Sequence, residues 1–380
     1  MKTLPALLLT TVAFASTPAE TAIEKAQAEI AKHPDHAQSY DSLAMAYARR
    51  ARETSDVEYY AKAEETLQRS FALAPDNYDG LKTRAWLELG RHEFAKALET
   101  ATKLNKKVPD DVIVYGYLAD ANTELGNYKE AVAAAQWMLD LRAGNIPGLT
   151  RAGYQRELHG NLAGALELMQ MAYGSTPSSE TEDRAWLLTQ MAHLSFIAGD
   201  LPKAESYANG ALAMFPGYHY ALGTLAQVRI AQKRYEDAVA LLRTRYANAP
   251  HAENLLPFAE ALELAGQTEE ADKAFAEFER KSLAETNIAD NSNHELIAYY
   301  VDDAHQPGKA LEVAEREIAR RKDVFTLDCY AWALAANGDY QAANTQIQSA
   351  LQVGVKDPKI LAHASVIAQH LNETAKTVQP

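Results

Sequence analysis

The sequence predicts an all-α chain, built as a solenoid of eight to nine helix-turn-helix units stacked one on the next. Three observations predict it. A short motif keeps returning: LGNYKEAVAAA at 125–135, HGNLAGALELM at 159–169, AGDLPKAESYA at 198–208, AGQTEEADKAF at 266–276 and NGDYQAANTQI at 337–347. Apolar and small residues recur at i, i+3, i+4 and i+7 on both sides of it, the spacing of one helix face. Residues 76–109, 110–143 and 144–177 are three successive stretches of 34, and Pro75, Pro109, Pro177, Pro216 and Pro250 close units.

The first helix of a unit is read from Tyr115, Leu118, Ala119 and Asn122 ahead of Gly126. Leu188, Met191, Ala192 and Ser195 precede Gly199 in the same spacing, and Leu327, Tyr330, Ala331 and Leu334 precede Gly338. The glycine falls where the helix ends in a left-handed cap, which costs least without a Cβ. The Asn or Asp beside it is placed to cap the next helix. Tyr128, Ala131, Ala135 and Met138 then resume the period as the second helix. Pro202 fits a first helical turn, where a missing N–H is harmless.

Units are expected to begin near Ala37, Tyr78, Val112, Ile146, Ala185, His219, Ala252, Asn291 and Val324. Three places break the period. Residues 53–59 lengthen the first turn, 180–184 add about a helical turn, and 281–293 form a polar insertion, either a longer helix plus loop or a hinge. The organisation expected is a signal peptide at 1–15, a leading helix at 16–35, a repeat array at 36–280, the insertion at 281–293, further units at 294–357 and a capping helix with tail at 358–380.

Lys2, the apolar run 4–13 and the Ala13-Phe14-Ala15 site read as a secretory signal peptide, so the chain is expected to be exported, periplasmic or secreted. No later stretch is apolar enough for a membrane span. The formal net charge is −14, which argues against nucleic acid and, weakly, for basic partners. Cys329 is the one cysteine, in an apolar helical context, and reads as a small core residue.

The 34-residue helix-turn-helix with paired small residues resembles the tetratricopeptide repeat (TPR) over about residues 36–356. Tyr40, Leu43, Ala44, Tyr47, Ala63 and Pro75 carry the resemblance in the first unit. The pairs Ala85/Ala97, Ala119/Ala131, Ala192/Ala204, Ala226/Ala238, Ala298/Ala310 and Ala331/Ala343 carry it further, with Gly153/Ala165 as a variant. The run TLDCYAWALAANG at 326–338 resembles a segment of uncharacterised bacterial exported TPR proteins. The resemblance implies a right-handed superhelix whose concave face, lined by the first helix of each unit, binds a protein or peptide partner.

By the same resemblance, positions 2, 5, 9 and 12 of each unit point inward. They nominate Trp86 in the second unit, Asp120 in the third and Tyr154 in the fourth. Trp186 and His193 follow in the fifth and Tyr220 in the sixth. Glu260 and Glu263 come from the seventh, Tyr299 and Asp302 from the eighth, Asp328 and Trp332 from the ninth. Acids and aromatics suit a basic partner, since aromatic faces attract cations and anchor interfaces. The aromatics have a second use, packing between units, and the sequence leaves both open. The Lys and Asn pattern that clamps a terminal carboxylate in some TPR proteins is absent, with Asp41 and Met45 in its first places.

No phosphate-binding glycine loop, nucleophile elbow or zinc motif occurs, so no catalytic residue, cofactor or metal is expected. His33 and His36 lack a third ligand nearby, and the adjacent pairs Glu64-Glu65, Glu269-Glu270 and Asp302-Asp303 point about 100° apart on a helix. The expected function is therefore a non-enzymatic exported scaffold. The alternative is an envelope-associated protein that binds a polymer or small ligand for a secretion or cell-wall assembly.

Overall fold

The computed structural model describes residues 16–378, with side chains to 373, and the signal-peptide reading at 1–15 lies outside them. The described residues form twenty α-helices and no strand. A leading helix, α1 (Pro18–Lys32), precedes nine helix pairs. These are α2 (Ala37–Thr54) with α3 (Glu58–Leu73), α4 (Tyr78–Gly90) with α5 (Phe94–Lys107), and α6 (Val112–Glu124) with α7 (Tyr128–Leu141). Next come α8 (Ile146–Leu158) with α9 (Leu162–Ser175), α10 (Thr181–Ile197) with α11 (Leu201–Met214), and α12 (His219–Ala231) with α13 (Tyr235–Asn248). The last three are α14 (Leu255–Leu264) with α15 (Thr268–Glu285), α16 (Asn293–Asp302) with α17 (Pro307–Ile318), and α18 (Val324–Ala336) with α19 (Tyr340–Val353). The closing helix is α20 (Pro358–Val378).

The paired small residues meet as the pattern requires: Ala44, Ala63, Ala85, Ala97, Ala192 and Ala204 have no exposed surface. Without bulk at these places the two helices of a pair approach closely, and the larger Leu, Tyr and Met side chains fill the space between pairs. Asn161, Asp200 and Asp339 cap the second helices of their units by accepting from backbone N–H groups at 3.0–3.1 Å. Asn127 makes no such cap; its amide donates to Asn122 instead.

The left-handed turn position is glycine in five units, among them Gly126 at φ 78° and Gly199 at φ 79°. His92, Lys233, His305 and Ser55 take the same conformation elsewhere at φ 51–60°. The backbone demand is thus common to all nine units, although the glycine is not.

Longer helices take up part of each period break. α2 runs on to Thr54, α10 starts four residues ahead of Ala185, and α15 continues to Glu285. The rest of the insertion is tied down by buried polar groups: Ser292 Oγ donates to Ser282 Oγ at 2.8 Å, and Asn293 Nδ2 to Glu317 Oε2 at 2.9 Å.

The solenoid winds tightly enough for its successive turns to touch. Contacts join each of the first four units to the element six places on. His251 Nε2 of unit 7 donates to the Ser55 carbonyl of unit 1. His92 of unit 2 lies 3.6 Å from Asp290, at the start of unit 8. Glu124 of unit 3 pairs with Arg321, and Tyr128 accepts from the Val324 N–H of unit 9 at 2.8 Å. The Gly160 turn of unit 4 meets the Gly354 carbonyl ahead of α20. Arg49 and Arg52 reach from α2 to Glu180, Glu182 and Asp183 on the neighbouring turn.

Candidate functional site

Side chains from the first helices of the later units and from α20 act on one another through space, so they face a common interior. Glu260 of α14 feels Lys359, Asp303, Asp302 and Glu263. Glu295 of α16 feels Glu253, Lys359 and Arg245. Burial is the main cause that pushes both Glu260 and Glu295 up to about 7, and neighbouring carboxylates add to it. Asp303 is raised to about 6, by burial and then by Asp302 and Glu263. Among the described residues, Glu253, Glu260, Glu263, Glu295, Asp302 and Asp303 make no ion pair, and Asp303 Oδ2 is buried without a hydrogen-bond partner.

The inward residues expected from the sequence divide into three groups. The first packs between helices. Trp86 lies half-buried between two core clusters of the first units, and Trp186 against the core of units 4–6. Tyr154 packs on the terminal cluster, and Tyr299 on Phe275 and Phe278 with ring centroids 5.6 and 5.5 Å away.

The second group is already paired within the chain. Asp120 holds Arg151 at 2.5 Å. His193 Nε2 donates to Glu157 at 3.0 Å, and although burial opposes it, that bond raises the imidazole above its usual range. Asp328 is buried and accepts from His363 Nδ1 at 2.9 and 3.0 Å, while Trp332 stacks on the same ring at 4.1 Å. Trp332 Nε1 also donates to Asp302 at 2.8 Å.

The third group makes no ion pair within the chain: Glu260, Glu263, Asp302, which accepts only from Trp332, and Tyr220, whose ring packs on His219 and Tyr218. Tyr220 and His193 line a cavity of about 280 Å³ on the inner side of α10 and α12, together with Thr189, Gly223 and Gln227. These are places 2, 5 and 9 of units 5 and 6.

A larger cleft of about 1070 Å³ opens where the turns of the solenoid meet, lined by Tyr60, Arg91, His92, Glu253, Glu285 and Asp290 among others. Sequence reading missed it because its walls come from units 1, 2, 7 and 8, and no local pattern encodes that meeting. Part of its charge is already matched, Glu64 with Arg84 and Glu93 with Lys96, while His92 lies beside Asp290 with its pKa pushed down to about 4 by burial. A further set of unmatched carboxylates, Glu260, Glu263, Glu295, Asp302 and Asp303, belongs to the first helices of units 7 and 8 and the turn after the second.

Among the described residues no group of three or more His, Cys, Asp or Glu could hold a metal, and no helix is long and apolar enough to cross a membrane. Burial pushes the Cys329 thiol well above its usual value, which suits a packed residue rather than a thiolate.

Two models of the tetratricopeptide repeat match the chain, at residues 82–146 and 195–253. Comparison with curated proteins finds no match. Among solved structures, the chain resembles the APC/C hetero-tetramer Cut9-Hcn1 at TM-score 0.53 and 11% identity, over 86% of this chain and 55% of that one. It therefore spans about half the length of that chain. It also resembles the human IFIT1 dimer with m7Gppp-AAAA at TM-score 0.52 and 14% identity, over 88% of this chain and 86% of that one. At such identities the likeness concerns the fold. Together with the helix pairs described above, these matches show a superhelical solenoid that carries tetratricopeptide repeats.

Proposed function

We propose that the chain is an exported, non-enzymatic repeat scaffold that holds a basic protein or peptide segment against the inner face of units 7 and 8. The observation that carries this reading is the set of carboxylates at Glu260, Glu295 and Asp303. Each is raised by burial and by neighbouring carboxylates, against the opposing pull of Lys359, and none forms an ion pair. Crowded carboxylates raise one another's proton affinity, and an arriving cation reverses that. A Lys- or Arg-bearing segment would relieve the repulsion and gain charge-assisted hydrogen bonds in a partly desolvated setting. Trp332, which donates to Asp302, sets an aromatic ring beside this region. Export rests on the apolar run and the Ala13-Phe14-Ala15 site at the N-terminus.

The test is binding of a ten-residue Lys- and Arg-rich peptide to residues 16–380, beside a variant with Glu260, Glu263 and Asp302 changed to Lys. Asp328 is left alone, because its bond to His363 makes it part of the packing. Binding to the first and its loss in the second is expected. Equal binding to both would move the site off this face.

A further inference from the structure

We propose that Arg245 is an anchoring site for a carboxylate group, presented by a ligand in the inner cavity of units 5 and 6. The inference goes beyond the basic-segment reading, concerns a different pair of units, and stands or falls separately from it.

Arg245 lies on α13, the second helix of unit 6, yet it lines the cavity formed by first helices. It gets there through Gly223. A Cβ at Gly223 would sit 3.1 Å from Arg245 Nε and Cζ, so the guanidinium occupies the gap that the glycine leaves. Among the described residues it makes neither a hydrogen bond nor an ion pair, and its Nε is buried without a partner. Burial lowers its pKa, while Glu253, Tyr220 and Glu295 support the charged form through space without touching it.

The chain contains its own control. Arg151 also lies against a glycine at place 5 of a first helix: a Cβ at Gly116 would meet its Nε at 3.0 Å. There the guanidinium is satisfied. It donates to the Gly116 carbonyl at 3.1 Å and to Asp120, one helical turn on, at 2.5 Å. One turn on from Gly223 stands Gln227, which is neutral, and nothing takes the place of the carboxylate. A buried Nε–H left without an acceptor is costly, and the planar fork to which it belongs matches a carboxylate in two parallel bonds. Apart from His193, which is already bonded to Glu157, the remaining lining is uncharged: Thr189, Gln190, Thr224 and Gln227 offer further hydrogen bonds, and Pro257 and Ile230 an apolar wall. The cavity of about 280 Å³ suits one amino-acid-sized group, such as a chain terminus or an acidic side chain.

The test uses the whole chain with 15N-labelled arginine, following the Nε–H signal that Arg245→Lys removes. The probes are N-acetylalanine, with a terminal carboxylate; N-acetylaspartate α-amide, with only the side-chain carboxylate; N-acetylalanine amide, with none; and inorganic phosphate. At least one carboxylate probe should move the Arg245 signal, and whichever moves it more identifies the source of the group. The amide should not. Gln227→Asp supplies the missing acceptor from within the chain. It should weaken the carboxylate probe roughly tenfold or more, the worth of a charge-assisted bond, with an unchanged helical circular dichroism spectrum. An Arg245 signal unmoved by both carboxylates, moved equally by the amide, or moved by phosphate alone would overturn the proposal. So would undiminished binding in Gln227→Asp.

Discussion

Arg52 and Glu182 stand 130 residues apart in the chain and form an ion pair across two turns of the solenoid. Glu182 is fully buried, and it also accepts from the Tyr218 hydroxyl at 2.6 Å. Burial raises the Glu182 carboxyl, and Arg52 opposes that shift. Asp183, at 2.6 Å from Arg52, completes the clasp. Desolvating two charges costs much of what their attraction returns, so the pair is better evidence of a fixed winding than of surplus stability.

Breaking the clasp on one side strands a buried carboxylate. Arg52→Ala should cost about 3–5 kcal/mol, and changing Glu182 to Gln in the same chain should restore part of it. Denaturant unfolding of the single and double variants measures both. Small-angle scattering should show the single variant expanded. An unaltered radius of gyration with a loss under about 1 kcal/mol would mean that the turns are held elsewhere.

Gly126 and Gly199 share a backbone conformation but not surroundings. A Cβ on Gly126 would meet the Lys322 carbonyl of the next turn at 2.6 Å, whereas one on Gly199 meets nothing within 4 Å. Gly199→Ala should cost only the left-handed strain, about 1–2 kcal/mol. Gly126→Ala should cost a further 1–3 kcal/mol or so, since backbone must shift. Equal losses in thermal unfolding would deny that the seam is closed at Gly126.

The register of the units was legible in the sequence because a helix pair is a local object. Small residues, left-handed turns and caps repeat every 34 residues, and the helices begin at Tyr78, Val112, Ile146, His219 and Val324 as the pattern requires. The candidate site was legible only in outline. Place 5 of unit 9 reads as an inward acid, yet α20 returns across it and His363 bonds Asp328. Place 9 of unit 3 does likewise with Arg151. What a position faces depends on the adjoining unit and on the winding, which is set by contacts four to six units apart that no single period contains.

Packing and lining roles separate by mutation. Trp86→Ala removes a ring held between two clusters and should cost about 3 kcal/mol. Tyr220 is 36% exposed, and Tyr220→Ala should cost under about 1 kcal/mol. Chemical denaturation of the two variants decides the matter; the reverse order would exchange their roles.

Glu260 makes stability depend on pH. Its folded pKa of about 7 lies above the ordinary value of 4.5, so the folded state keeps a proton that the unfolded chain releases. That contribution is fully present below pH 4.5 and is lost as pH rises through 7. Glu260→Gln removes the dependence. Its gain in melting temperature over the parent should grow between these two pH values and level off above them. A gain that is constant with pH would place the carboxylate in water.

The unpaired carboxylates of units 7 and 8 are where a basic segment would bind. Calorimetric titration with the Lys- and Arg-rich peptide, repeated at pH 7 in buffers of different ionisation enthalpy, counts the protons released on binding. Binding should expel protons, because a cation beside Glu260 and Glu295 lowers both from about 7. Changing both to Gln should abolish the release and weaken the peptide. Binding without proton release, or unchanged in the double variant, would contradict the central claim.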